Sequence, residues 1–201
     1  MNKVLWFDCE TTGLIPGTHA LIQLAALVEI DNKVEEEIDL KIRPMLHNTI
    51  DPEALKISSL KEPEIKNWTP NETQFKKFLK TITKYVDRYD KNDKFILAGY
   101  NISAFDEPFL RQFFLDNAAS KKDRQFGNYF GSYFAWPKRD IQTYVAEHYA
   151  ELNLRLPNFK LETLCNHCNI EITAHDALSD ILATRTLYTI LRYTFPMLPT
   201  K

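Results

Sequence analysis

The stretch WFDCETTGL, residues 6–14, ends an apolar run with two carboxylates, Asp8 and Glu10, one residue apart, just ahead of a Thr-Thr-Gly turn. Side chains in a strand alternate between faces, so Asp8 and Glu10 point the same way, as do Val4 and Trp6 before them. That face changes from apolar to doubly anionic within four residues. Two like charges this close disfavour each other's ionised form unless a cation lies between them. The segment KVLWFDC is apolar on both faces through Phe7, the mark of a central strand covered on two sides. Its C-terminal end is where open α/β sheets place their ligands.

Outward from this strand the pattern stays regular. ALIQLAALVEI (20–30) and KVEEEIDLKIRP (33–44) flank Asp31-Asn32, and the second alternates at Val34, Ile38, Leu40 and Ile42, which predicts an antiparallel hairpin or meander. DPEALKI offers Asp51 as N-cap and Pro52 at the first helical position. NETQFKKFLKTITKYVDRY (71–89) predicts a helix capped by Asn71, with Phe75, Phe78, Leu79, Ile82 and Val86 on its buried stripe. KFILAGY (94–100) reads as a short buried strand and EPFLRQFFLDNAA (107–119) as a helix. Residues 120–139 are basic, aromatic and Gly-punctuated, and read either as a substrate-facing flap or as a plain surface connection. Helices follow over about 140–151, 160–168 and 176–193. Strands, a helix, another strand and further helices describe an α/β domain with a mixed central sheet. With 201 residues, 44% of them hydrophobic, one domain over 1–201 is expected.

The net charge is only −2, which gives no global signature of a nucleic-acid coat protein. The opening MNKVLWFDCE meets charge too early for a signal peptide, and no run approaches a membrane span. Cys9, Cys165 and Cys168 make a poor disulfide framework and fit a reducing cytoplasm. CNHC at 165–168 has half the donors of a zinc site, but no second Cys pair exists, so buried structural thiols are expected.

Two further acids stand at helix starts: Asp106 in GYNISAFDEPFL and Asp180 in AHDALSDILATR. Taken singly, each has a plain account, because a carboxylate near a helix N-terminus is stabilised by free amides and the helix dipole. His175, five residues ahead of Asp180, changes that balance. An unperturbed imidazole titrates near neutrality, at about 6.5, which suits a general base beside clustered acids.

FDCETTGL, GYNISAFDEPFL and AHDALSDILAT resemble, in order, the three motifs of the DEDD 3′–5′ exonucleases, a superfamily that includes the proofreading (epsilon) subunit of bacterial DNA polymerase III. The His-x4-Asp spacing of His175 and Asp180 is similar to the DEDDh branch. The resemblance implies an RNase H-like fold and a metal-dependent exonuclease that releases 5′-mononucleotides. It implies two divalent cations, Mg2+ or Mn2+, held by Asp8, Glu10, Asp106 and Asp180, with Asp8 bridging and His175 as general base. Thr11, Thr12 and Leu14 match the turn that grips the 3′-terminal nucleotide, and Glu53 and Asn101 match further substrate contacts. Two departures stand out. Ser58 occupies the place of a family His, and one extra residue separates Asn101 from Phe105. Lys160, in FKLETLC, faces either the helix surface or the substrate backbone. The implied substrate is a nucleic-acid 3′ end, with single-stranded DNA favoured. An RNA exonuclease of the ribonuclease T or oligoribonuclease kind, a silent nucleic-acid or polymerase-binding module, and a polymerase accessory role are the alternatives.

Overall fold

The computed structural model describes residues 1–119, 129–173 and 176–194. Its centre is a six-stranded mixed sheet of β1 (Lys3–Thr11), β2 (Leu21–Ile30), β3 (Lys33–Arg43), β4 (Thr69–Pro70), β5 (Ile96–Gly99) and β6 (Arg139–Asp140), in the order β4-β3-β2-β1-β5-β6. β1, β2 and β3 form an antiparallel meander, while β1–β5 and β5–β6 pair in parallel. The β2–β3 turn follows from its residues: Asp31 and Asn32 both take positive φ, 48° and 70°, as a two-residue hairpin with the twist of its strands requires. A bulge between Val28 and Glu29 shifts the register by one residue, which aligns Gln23 with Lys41, and the β1–β2 pairing aligns Glu10 with Gln23.

Both sheet faces are covered. On one, Leu5, Phe7, Leu24, Ile38 and Leu40 pack beneath α3 (Asn71–Ile82), α4 (Asp106–Asp116) and α5 (Phe130–Tyr133). Phe114 is the hub of this layer, with the rings of Phe75, Phe78, Phe130 and Phe134 at 5.0–6.3 Å. Truncating such a side chain to Ala costs about 3–5 kcal/mol. On the other face Val4, Trp6 and Leu27 meet α6 (Ile141–Glu151), α7 (Leu161–His167) and α8 (Ala177–Thr194). Two short helices, α1 (Pro52–Ile57) and α2 (Glu62–Ile65), close the end of the sheet over Ala20 and Ile22.

The structure departs from the sequence reading in three places. The helix predicted over 71–89 ends at Ile82, because Thr83 turns its hydroxyl back onto the Leu79 and Lys80 carbonyls and the chain tightens into i+3 bonds at Lys84 and Tyr85. Val86 still reaches the core, but from a turn. Asn71 is the first helical residue and not the cap, and its side-chain oxygen accepts a hydrogen bond from Asn117 at 2.6 Å. Of the 120–139 segment, 120–128 lie outside the described residues. The remainder is no flap: Phe130, Tyr133 and Phe134 are buried, and Phe95 exchanges backbone hydrogen bonds with Tyr133 and Ala135. Among the described residues no helix is long and apolar enough to cross a membrane.

Candidate active site

The site is built where β1 leaves the sheet. The alternation that buries Val4 and Trp6 under α8 carries Asp8 and Glu10 onto the same face, and a register shift between Glu10 and Thr11 turns the chain away. Asp180 arrives from the first turn of α8, its N–H donating to the Asp176 carbonyl at 2.9 Å. Asp106 starts α4, beyond β5, and its Oδ1 accepts the Cys9 backbone N–H at 2.9 Å. Three acids predicted from separate motifs are thereby gathered with Glu10 around one strand end.

The electrostatics record that gathering. Burial, then the charges of Asp106, Asp180 and Glu10, hold the Asp8 carboxyl well above the ordinary carboxylate range. Burial, with Asp180, Asp106 and Asp176 adding, pushes Glu10 up to about 7. Burial likewise raises Asp106 to about 7, against the pull of the Cys9 N–H bond. The charges of Asp106 and Asp180 oppose the ionisation of Asp8 and Glu10, a repulsion that a cation between them would relieve. Among the described residues no three His, Cys, Asp or Glu side chains come together closely enough to hold a metal ion by themselves. Carboxylate oxygens are the donor type that Mg2+ and Mn2+ take, with waters and substrate oxygens completing their coordination.

His175 lies outside the described residues. Beside it Asp176 caps α8, its Oδ1 accepting the Leu178 N–H at 3.0 Å, and adds a fifth negative charge near Glu10. Sequence reading passed over Asp176, although a residue of its type before a helix is a cap signal.

The turn after β1 divides its labour. Thr12 is fully buried. Its hydroxyl donates to the Thr49 carbonyl at 2.7 Å and accepts from the Ala20 N–H at 2.8 Å, so its side chain is spent inside the protein. Thr11 is buried and donates to the Gly13 carbonyl at 2.7 Å. Gly13 takes φ +153° with the His19 ring where a Cβ would sit, 2.3 Å from His19 Cδ2. Leu14, in contrast, is 76% exposed and stands free beside Ile15. Glu53 is exposed on α1 and ion-paired to Lys56. Ser58 is buried as the α1 C-cap, with its hydroxyl on the Ala54 carbonyl at 3.2 Å. Lys160 is exposed at the start of α7.

Asn101 sits at φ 56° in the loop before Asp106, and that loop is held by a residue the sequence did not flag. Asp140, at the end of β6, accepts the Asn101 N–H at 3.1 Å and the Ser103 N–H at 3.0 Å. It stands at the N-cap position of α6 without capping it. Glu107, next to Asp106, is buried and ion-paired to Arg111 and Lys138. β6 is thus tied to the second acid motif twice. A groove of about 1550 Å³ between the 43–50 segment and α3 is lined by none of the four acids. Cys9 and Cys165 are buried and Cys168 half-buried, all as free thiols.

Comparisons with known proteins bear on this arrangement. Curated protein sequences give no significant match. Among solved structures, the zinc-bound form of the E. coli exonuclease I–ssDNA complex matches with a TM-score of 0.79 at 22% identity, covering 98% of this chain and 41% of that one. E. coli exonuclease I in complex with a dT13 oligonucleotide matches with a TM-score of 0.77 at 21% identity, covering 96% of this chain and 41% of that one. This chain therefore spans about two fifths of the exonuclease I chains it matches, and shares their fold. Residues 5–188 match the RNase_T family, described as Exonuclease. With nearly the whole chain inside that match, the protein belongs to the exonuclease family.

Proposed function

We propose that this chain is a 3′–5′ exonuclease domain that hydrolyses single-stranded DNA to 5′-mononucleotides. The observation that carries the reading is the convergence of Asp8, Glu10, Asp106 and Asp180 at one strand end, where the charges of Asp106 and Asp180 raise the pKa of Asp8 and of Glu10. Asp8, Glu10, Asp106 and Asp180 hold two divalent cations, Mg2+ or Mn2+. When bound, such ions neutralise the cluster and stabilise charge developing on the phosphoryl and leaving oxygens. His175 takes the proton from the attacking water, a task for which an imidazole is the usual choice. Leu14, exposed beyond the buried Thr11 and Thr12, packs against the terminal base, while Glu53 and Asn101 lie toward its sugar and phosphate. The buried Thr12 acts by fixing the turn.

DNA is preferred over RNA because the structural neighbours hold deoxyoligonucleotides. Digestion of 3′-labelled single-stranded DNA and matched RNA, each with Mg2+, with Mn2+ and with EDTA, tests the reading. Mononucleotide release from DNA that EDTA abolishes is expected. Preference for RNA would overturn the substrate, and no turnover of either polymer would overturn the activity. Asp8→Ala and Asp180→Ala are expected to abolish cleavage in a folded protein, and His175→Ala to slow it by roughly 10²–10⁴-fold.

A further inference from the structure

The antiparallel register places Glu10, Gln23 and Lys41 in one transverse row across β1, β2 and β3, on the face that carries the acids. Strands lie about 4.8 Å apart, so Lys41 stands roughly 10 Å from Glu10 along that row. α8 packs over β1 and β2, and the outer residues of β3 on this face, Glu37, Asp39, Lys41 and Arg43, are all exposed. Their sign changes along the strand: Glu37 and Asp39 are followed by Lys41 and Arg43, and the positive half lies at the catalytic end. Gln23, the middle residue of that row, donates to Asp39 at 2.9 Å. The row ends at Trp68, whose ring centre lies 5.4 Å from the Lys41 ammonium. Trp68 rests against the apolar cluster of Ala20, Ile22, Leu55 and Ile65 while keeping part of its surface open.

We propose that Lys41 and Trp68 form a subsite for single-stranded nucleic acid on the 5′ side of the cleaved bond, the ammonium pairing with a phosphate and the indole stacking on a base. This rests on the nuclease reading above. An accessible aromatic beside a cation is the pairing that binds single strands without regard to sequence. The acids at Glu37 and Asp39 repel a phosphate backbone and so direct it along the Lys41 end of the sheet. A monomeric substrate does not reach this far, and a longer strand does.

The test combines a binding and a turnover measurement on the full chain. Fluorescence anisotropy with labelled oligo-dT of about ten nucleotides, within the usual span of such sites, is read at several salt concentrations in EDTA. Hydrolysis of the p-nitrophenyl ester of thymidine 5′-monophosphate reports the catalytic centre alone. Lys41→Gln is expected to reduce the slope of log K against log[salt] by about 0.7, the loss of one phosphate contact on a single strand. Trp68→Ala is expected to weaken oligo-dT binding roughly 5- to 150-fold, with Trp68→Phe retaining most of it. Ester turnover is expected to stay unchanged in Lys41→Gln. An unaltered salt slope and affinity in Lys41→Gln, with ester turnover intact, would overturn the subsite and leave the nuclease reading standing. A wild-type protein that cleaves neither substrate would overturn both.

Discussion

Cys9 donates its backbone N–H to the carboxylate of Asp106 at 2.9 Å, joining residues 97 apart in the chain. Asp106 therefore carries two duties: it contributes charge to the acid cluster, and it satisfies a buried amide of β1. The duties separate by substitution. Asp106→Asn keeps an acceptor for Cys9 and removes a charge, so the metal-free protein is expected to unfold at or above the wild-type temperature while nuclease activity is lost. Asp106→Ala removes both, and the orphaned amide is expected to cost about 1–3 kcal/mol. Thermal unfolding in EDTA, set beside a cleavage assay, distinguishes the two; equal stability of the Asn and Ala variants would refute the second duty.

The pH dependence of the metal-free protein has a defined sign. Glu10 and Asp106 rise to about 7 from ordinary values of 4.5 and 3.8, and Asp8 rises with them. Between about pH 4 and 7 the folded protein holds protons that the unfolded chain has released, so stability falls as pH increases. In EDTA the unfolding temperature is expected to decline across that window. Mg2+ or Mn2+ is expected to raise it strongly at pH 8 and little at pH 4.5. A cation effect of equal size at both pH values would contradict the assignment of these acids as the ligands.

Asp140 touches backbone, and its removal is expected to act through Asp106. Asp140→Ala frees the Asn101 and Ser103 N–H groups and loosens the turn that Asn101 makes at positive φ. The expected result is about 1–3 kcal/mol less stability and a fall in kcat with KM for short DNA little changed. Asp140→Asn, which keeps one acceptor oxygen, is expected to recover part of both. If kcat survives Asp140→Ala, the loop does not depend on this clamp.

Gly13 is the tightest point of the turn behind Leu14. Gly13→Ala forces a side chain into a left-sided conformation and against the His19 ring, at a cost of about 1–3 kcal/mol for the strain alone. Weaker DNA binding is expected to accompany the lost stability, because Leu14 is displaced. Adding His19→Ala is expected to relieve the clash but not the backbone strain. Chemical denaturation of the single and double variants measures the difference.

The sheet meander was legible because its signals are local: the double-sided apolar run of β1, the alternation of β3, and the Asp31-Asn32 turn. That the four acids would meet at one place was expected from the resemblance of the three motifs that carry them, since singly Asp106 and Asp180 read as helix-start carboxylates. β4 and β6 were not, since two residues carry no periodicity, and Pro70 is tolerated only because its strand is at the sheet's edge. Asp140 was hidden for a related reason. It precedes a helix, where a carboxylate usually caps, and its partners at Asn101 and Ser103 are set by the parallel pairing of β5 with β6. The burial of Thr12 was likewise invisible, because the backbone groups that absorb its hydroxyl belong to residues 20 and 49.

The placement of Asp8 on the first strand and Asp180 on the last helix has a consequence for the chain as it is made. A ribosome delivers Asp8 and Glu10 about 170 residues before Asp180. Until then the site lacks its final acid, and on the proposed chemistry a chain without it is inactive. Docking α8 against β1 joins the two most distant parts of the fold, a slow class of contact, and on the proposed chemistry it is also the step that arms the enzyme.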